Sequence, residues 1–159
     1  MRIRIFTDGA CSENPGPGGW AAVFNSENKC NTISGNEMMT TNNRMELKAV
    51  IESYKKVLSK APNNNIKFEL YSDSAYVVNS INNGWLDKWQ QNNWKTTRNE
   101  DIKNRDLWEE LVALRSKAES SNIYIKIIKI KGHTGNTFNE LVDKVAKEES
   151  IKAKEGALS

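Results

Sequence analysis

The pattern of apolar residues predicts an α/β fold: a mixed five-stranded sheet, three antiparallel strands followed by two parallel ones, with helices on both faces. Three strand-like segments crowd into the first 35 residues with no helical period between them, as in an antiparallel meander. Two more strand-like segments follow, each reached through a helical stretch, and strands joined through helices pair in parallel.

The first segment, residues 2–7 (RIRIFT), alternates and is rich in β-branched side chains. Residues 18–25 (GGWAAVFN) follow a Pro/Gly turn at 14–18, and residues 29–35 (KCNTISG) make the third strand. A helix is predicted over 43–59, with Leu47, Ile51, Tyr54 and Leu58 on one face and Pro62 beyond its end. Residues 66–72 (IKFELYS) read as a strand and 74–82 (SAYVVNSIN) as a short helix ending near Gly84. The stretch 85–108 is polar and tryptophan-rich, and a long helix follows to about Ser120. Residues 123–130 (IYIKIIKI) are the last strand and enter the loop KGHTGNT. A final helix starts near Phe138, where Phe138, Leu141, Val142 and Val145 form one apolar stripe.

A chain of 159 residues is the size of one domain, so 1–159 is expected to be a single unit. Apolar residues make up 38% and charged residues 27%, and no apolar run approaches the roughly 18 residues of a membrane span. A cytoplasmic protein with no membrane association is expected, with Cys11 and Cys30 as reduced thiols. The net charge of +3 is compatible with nucleic acid but is common among soluble proteins. With one histidine, His133, and no CxxC spacing, a structural zinc site is not expected. Any metal would have carboxylate ligands, which favours Mg²⁺ or Mn²⁺.

Four acids stand out against these elements. Asp8 ends the first predicted strand, Asp73 ends the fourth, Glu46 lies in the first turn of the first long helix, and Asp143 lies in the last helix, with Asn139 on its face. Asp8 and Asp73 meet if their strands are neighbours, because functional groups of open α/β sheets gather at the carboxyl edge. Each acid also has a plain structural role. Asn43-x-x-Glu46 has the spacing of a capping box, and Asp143 lies off the apolar stripe, where a solvated acid is ordinary. Asp8 and Asp73 resist such explanations, since acids are depleted in strands and Gly9 leaves room for close approach. Four converging carboxylates repel unless divalent cations neutralise them, and two such ions are the known arrangement for in-line displacement at phosphorus. A glycoside-cleaving acid and base would need only two carboxylates.

The segments FTDGACSENPGPGGWAAV, TTNNRMEL, YSDSAYV and KGHTGNTFNELVDKVA resemble, in order, the catalytic segments of type 1 ribonuclease H, over roughly residues 2–152, with a short tail at 153–159. The resemblance implies a ribonuclease H-like fold that hydrolyses the RNA strand of RNA/DNA hybrids, leaving 5′-phosphate and 3′-hydroxyl ends. It implies two Mg²⁺ ions, with Mn²⁺ as a substitute, held by Asp8, Glu46, Asp73 and Asp143. Asp8 would bridge both ions, Asp143 would serve the nucleophile side, and Glu46 and Asp73 the leaving-group side. His133 would assist proton transfer or product release. Asn14, Asn42 and Asn43 match groove-reading positions, and Thr41 with Asn104 matches a pocket for a DNA phosphate. The 85–108 segment resembles the family's basic protrusion, in which Trp85, Trp94 and Lys95 are candidate DNA contacts.

In that segment five basic residues oppose four acids, a net of +1, and QQNN stands where relatives carry lysines. Weaker hybrid binding with a shallow salt dependence is therefore expected. Ala75 replaces a glutamine of several relatives, which removes one groove contact. A monomer without an obligate protein partner is the default. Two rival functions are a DNA-cutting nuclease of the same superfamily and a nucleic-acid-binding module that has lost catalysis.

Overall fold

The computed structural model describes residues 1–27, 29–60, 62, 65–131 and 137–158, with 157 and 158 as backbone only. Its sheet contains β1 (Arg2–Cys11), β2 (Gly16–Ser26), β3 (Lys29–Thr40), β4 (Lys67–Ser72) and β5 (Ile125–Lys129) in the order β3-β2-β1-β4-β5. The β1–β2 and β2–β3 pairs are antiparallel, and β1–β4 and β4–β5 are parallel, as the spacing of strands and helices predicts. The helices are α1 (Asn42–Ser59), α2 (Ala75–Asn82), α3 (Trp85–Gln91), α4 (Arg105–Ser120) and α5 (Thr137–Leu158).

Alternation along β1 distributes its side chains to two cores. Ile5 joins the larger core, with Leu47, Val50, Ile51 and Tyr54 of α1 and Trp108 and Leu111 of α4. Phe6 faces the other way and packs with Ala21, Val23 and, from α5, Val142 and Ala146. Helices therefore cover both faces of the sheet. Helix α1 is the central one: Met45 and Ala49 meet Trp20, while Leu47 and Val50 belong to the larger core. It is apolar over more than the single face that periodicity suggests, because it packs on both the sheet and α4.

Several boundaries differ from the sequence reading. Strands β1 and β3 continue to Cys11 and Thr40, because a neighbouring strand supplies backbone partners that local pattern does not reveal. Helix α3 lies at the start of the polar, tryptophan-rich stretch, and burial of Leu86 at 1% exposure stabilises it. The expected tail after residue 152 is instead helical: α5 runs to Leu158, with Ala153 buried at 2% exposure and good helix formers around it.

Gly9 has a packing role rather than the ligand-access role that its neighbour Asp8 suggests. A Cβ at position 9 would lie 2.6 Å from the Met45 carbonyl carbon and closer still to the Glu46 amide nitrogen. Only a bare backbone lets β1 approach the start of α1 this closely. Gly9→Ala is expected to destabilise the fold by about 1–3 kcal/mol, because the obstructing atoms are backbone and cannot swing aside. A urea titration with unchanged midpoint would show that α1 can retreat freely.

Candidate active site

Asp8 and Asp73 occupy equivalent places along adjacent parallel strands, Asp8 within β1 and Asp73 one residue past the end of β4. The β1–β4 register ends at Phe6↔Tyr71, two residues before each acid. Asp8 is not at the end of β1, as the sequence suggests; it still pairs with Ala21 of β2. It stands where β1 and β4 part. Thr7 closes the seam by donating from Oγ1 to the Tyr71 carbonyl at 3.3 Å. Asp73 directly precedes Ser74, the N-cap of α2, whose Oγ accepts from the Val77 amide, so Asp73 lies near the positive end of that helix.

Glu46 reaches the same point from α1. The cap of α1 is Thr41, whose Oγ1 accepts from the Arg44 amide at 3.2 Å, which places Glu46 in the second turn. The capping-box explanation of Glu46 is thereby removed. Ligand oxygens of Asp8, Glu46 and Asp73 all lie within 4.8 Å of one another. Asp8 and Glu46 are each only 5% exposed. Glu46 Oε2 is buried with no hydrogen-bond partner, a costly state for a carboxylate oxygen.

Burial first, and then the charge of Asp73, push the Asp8 carboxyl up to about 7, although its contact with Glu46 and the Gly9 amide act the other way. Burial and the facing Asp8 hold Glu46 well above the usual carboxylate range. Without a counter-charge the cluster keeps protons. An all-oxygen donor set with an orphaned buried oxygen suits a hard divalent cation.

Asp143 is less tightly clustered. It lies outside the 4.8 Å trio but lines the same small cavity, of about 60 Å³, with Asp8, Asp73, Asn139 and Glu140. Its carboxyl is in hydrogen-bonding reach of Asp8, and Lys147 pairs with its Oδ2 at 3.0 Å. It is 31% exposed, so the solvated-acid reading is only partly right. Asn139, buried at 5% exposure, was legible only through its i, i+4 relation to Asp143, and Glu140 carried no signal. His133 lies outside the described residues.

The expected nucleic-acid contacts fall into two groups. Near the start of α1, Asn42 and Asn43 are exposed, and Asn14 Oδ1 accepts from the Asn42 amide at 3.1 Å. Thr41 and Asn104 are tied together through Arg44. This guanidinium donates to Asn104 Oδ1 at 3.4 Å and forks onto Asp106 at 2.9 and 2.7 Å, while Asn104 Nδ2 donates to the Tyr76 hydroxyl at 3.0 Å. Arg44, Asp106 and Tyr76 escaped the sequence reading because no local spacing connects them. In the second group, Trp85 is 41% exposed, whereas Trp94 is partly buried against the larger core. Lys95 Nζ pairs with Asp101 at 2.8 Å, and the same Asp101 oxygen takes Arg105 Nη1 at 2.8 Å.

Because Asp8 holds its proton more tightly in the folded chain than unfolded, its stabilising contribution is complete below about pH 4 and is lost as pH rises through about 7. In chelator, Asp8→Asn should therefore be more stable than the parent chain at pH 8 and should lose this advantage near pH 4. Adding Mg²⁺ at pH 8 should raise the parent's Tm and leave the variant nearly unmoved. Thermal denaturation of both proteins between pH 4 and 8 measures this; a pH-independent difference would contradict the buried-charge account.

The RNase H family model matches residues 1–151. Ribonuclease H of Thermoanaerobacter sp. is 50% identical over 147 residues, covering 92% of this chain and 88% of the relative. Ribonuclease H of Caldicellulosiruptor saccharolyticus is 48% identical over 145 residues, covering 91% and 93%. Among solved structures, LC9-RNase H1, a type 1 RNase H with the type 2 active-site motif, superposes with a TM-score of 0.81 at 24% identity, over 96% of this chain and 73% of that one. LC11-RNase H1 in complex with an RNA/DNA hybrid superposes with a TM-score of 0.69 at 22% identity, over 99% of both chains. Four motif segments in register, an acid cluster at the parting of β1 and β4, and relatives at half identity over nearly the whole length lead to one statement: this chain belongs to the RNase H family.

Proposed function

We propose that this protein hydrolyses the RNA strand of RNA/DNA hybrids endonucleolytically, with two divalent cations, Mg²⁺ or Mn²⁺, leaving 5′-phosphate and 3′-hydroxyl ends. The observation that carries this reading is the partnerless buried Oε2 of Glu46 inside a trio of carboxylates within 4.8 Å. Family membership and a hybrid-bound structural neighbour support the choice of reaction and substrate.

Asp8, Glu46 and Asp73 would hold the cations, with Asp143 completing the set from α5. When bound, such a pair neutralises the carboxylates, lowers the pKa of the attacking water and stabilises the leaving oxygen. The remaining residues bind and orient. Thr41 Oγ1 accepts from the Arg44 amide and keeps its hydroxyl hydrogen for a phosphate oxygen, at a helix start whose amide groups also favour phosphate. The Arg44–Asp106 fork and Tyr76 hold Asn104 beside this position. Asn14, Asn42 and Asn43 offer short amides suited to 2′-hydroxyls and base edges in a shallow minor groove. His133 is assigned proton transfer or product release by resemblance alone.

Asp101 shares one oxygen between Lys95 and Arg105, so the protrusion's cations face the substrate already part-neutralised. Exposed pairs open at little cost, but the net charge offered to phosphates stays low.

The central test incubates end-labelled RNA as single strand, RNA duplex and RNA/DNA hybrid with the protein and Mg²⁺, beside a chelator control. Cleavage of the hybrid alone, abolished by chelator and by Asp8→Asn or Asp73→Asn with hybrid binding retained, is the expected result. Retained cleavage in Asp8→Asn would sink the metal assignment, and cleavage of duplex DNA would favour the rival nuclease. Hybrid affinity measured against salt should fall with a log–log slope shallower than about −4, corresponding to fewer than about five phosphates neutralised.

A further inference from the structure

Helix α5 carries Asp143, and its placement on the sheet decides whether that carboxyl meets Asp8. The helix has 22 residues and is described from Thr137 onward. Its apolar contacts with the sheet are small or smooth: Val142 and Ala146 against Ala21 and Val23, and the Phe138 ring stacked on Phe6 at 5.3 Å. Burial of such surfaces is non-directional, so it sets how close the helix lies but tolerates sliding and rolling.

Direction comes from polar contacts on the far flank, led by a buried carboxylate. Glu149 is 8% exposed and takes hydrogen bonds from Ser34 Oγ at 2.5 Å and Asn36 Nδ2 at 2.9 Å, both on β3. Burial opposes its charge, yet these donors and the Lys152 charge hold the carboxyl below its ordinary range, so it is ionised and strongly bonded. Beneath it, a Cβ on Gly19 would lie 2.5 Å from Glu149 Cβ and 2.6 Å from the Ser150 amide nitrogen, so helix and β2 are in direct backbone contact. The next residue, Ser150, shares a hydrogen bond of 2.6 Å with Ser12 Oγ and approaches the Pro17 carbonyl at 3.3 Å.

Glu149 lies six positions after Asp143, which places them about 9 Å apart along the axis and about 120° apart around it. Glu149 thus faces β3 on one flank while Asp143 faces the β1–β4 parting on the other. A roll of only 20° would carry a carboxylate at a radius of about 5–6 Å through about 2 Å, enough to lose a ligand position.

We propose that Glu149 is a positioning residue: its bonds to Ser34 and Asn36 fix the roll and axial register of α5 and thereby hold Asp143 against Asp8 for cation binding. The inference rests on the reading of Asp143 as a cation ligand and adds the residue that acts through it.

The test uses the full chain and compares the parent, Asp143→Asn, Glu149→Ala, Glu149→Gln and Ser34→Ala. Calorimetric titration with Mn²⁺ gives cation affinity directly, urea unfolding gives the folded fraction, and hybrid cleavage gives the Mg²⁺ midpoint. Glu149→Ala is expected to weaken Mn²⁺ binding about tenfold and raise the Mg²⁺ midpoint to match, while still folded at the assay temperature. Glu149→Gln, which keeps an acceptor oxygen for β3, should recover most of the loss. If Glu149→Ala does not fold, Ser34→Ala, which removes one donor, should shift cation affinity in the same direction by less, and an unshifted affinity there would overturn the proposal. Glu149→Ala binding Mn²⁺ like the parent while Asp143→Asn binds it weakly would remove the positioning role and leave the Asp143 reading intact. Unchanged binding in Asp143→Asn would remove both.

Discussion

The buried carboxylates of Asp8 and Glu46, with Asp73 close beside them, are the constraint that the rest of the structure serves. Each is 5% exposed, and each is pushed toward its protonated form by the loss of water and by its neighbours. Such a cluster is unfavourable for a fold by itself, so the surrounding packing must hold it in place. Three elements do so from different directions: β1 delivers Asp8 where its pairing with β4 ends, α1 brings Glu46 in on a helix pressed against Gly9, and the β4–α2 junction supplies Asp73. The same repulsion makes the site receptive to a hard cation.

A second set of polar contacts places the substrate-facing surface. Arg44 projects from the second residue after the first helical position of α1 and forks onto Asp106 at the start of α4, while Tyr76 of α2 accepts from both Asn104 and Trp108 Nε1, the latter at 2.8 Å. Three helices that share no sequence proximity are joined at one point, next to the N-cap Thr41. Trp108, fully buried between Tyr76 and Trp89 at ring separations of 5.6 and 5.5 Å, anchors that point in the larger core. The tryptophan-rich stretch therefore has divided roles, with Trp89 and Trp108 packing, Trp94 partly packing, and Trp85 facing outward. No helix among the described residues is long and apolar enough to cross a membrane.

The strand and helix types were legible because each amphipathic period is long enough to override local propensity, as in RIRIFT and the Phe138–Val142–Val145 stripe. Boundaries were not, because β3 ends where β2 stops offering partners and α5 continues past residue 152 with Ala153 buried, neither of which local pattern reveals. The acids were legible as a set, since one metal-binding role explains four carboxylates together better than four separate roles do. Their individual settings were misread where a local pattern had a competing explanation: Asn43-x-x-Glu46 mimics a capping box, but Thr41 is the cap. Gly9 was read as making room for a ligand, whereas it makes room for a helix.

By itself the sequence determined the α/β class, the antiparallel-then-parallel strand order, the carboxylate-only ligand supply and the candidate acids, because periodicity and residue chemistry are local properties. The tertiary structure decided which acids meet tightly and which stands at the rim, that Lys95 and Arg105 share Asp101, and that Glu149 binds β3. Those outcomes depend on distances of a few ångströms between residues far apart in sequence, 115 positions for Ser34 and Glu149, and only the packing of helices on the sheet sets such distances.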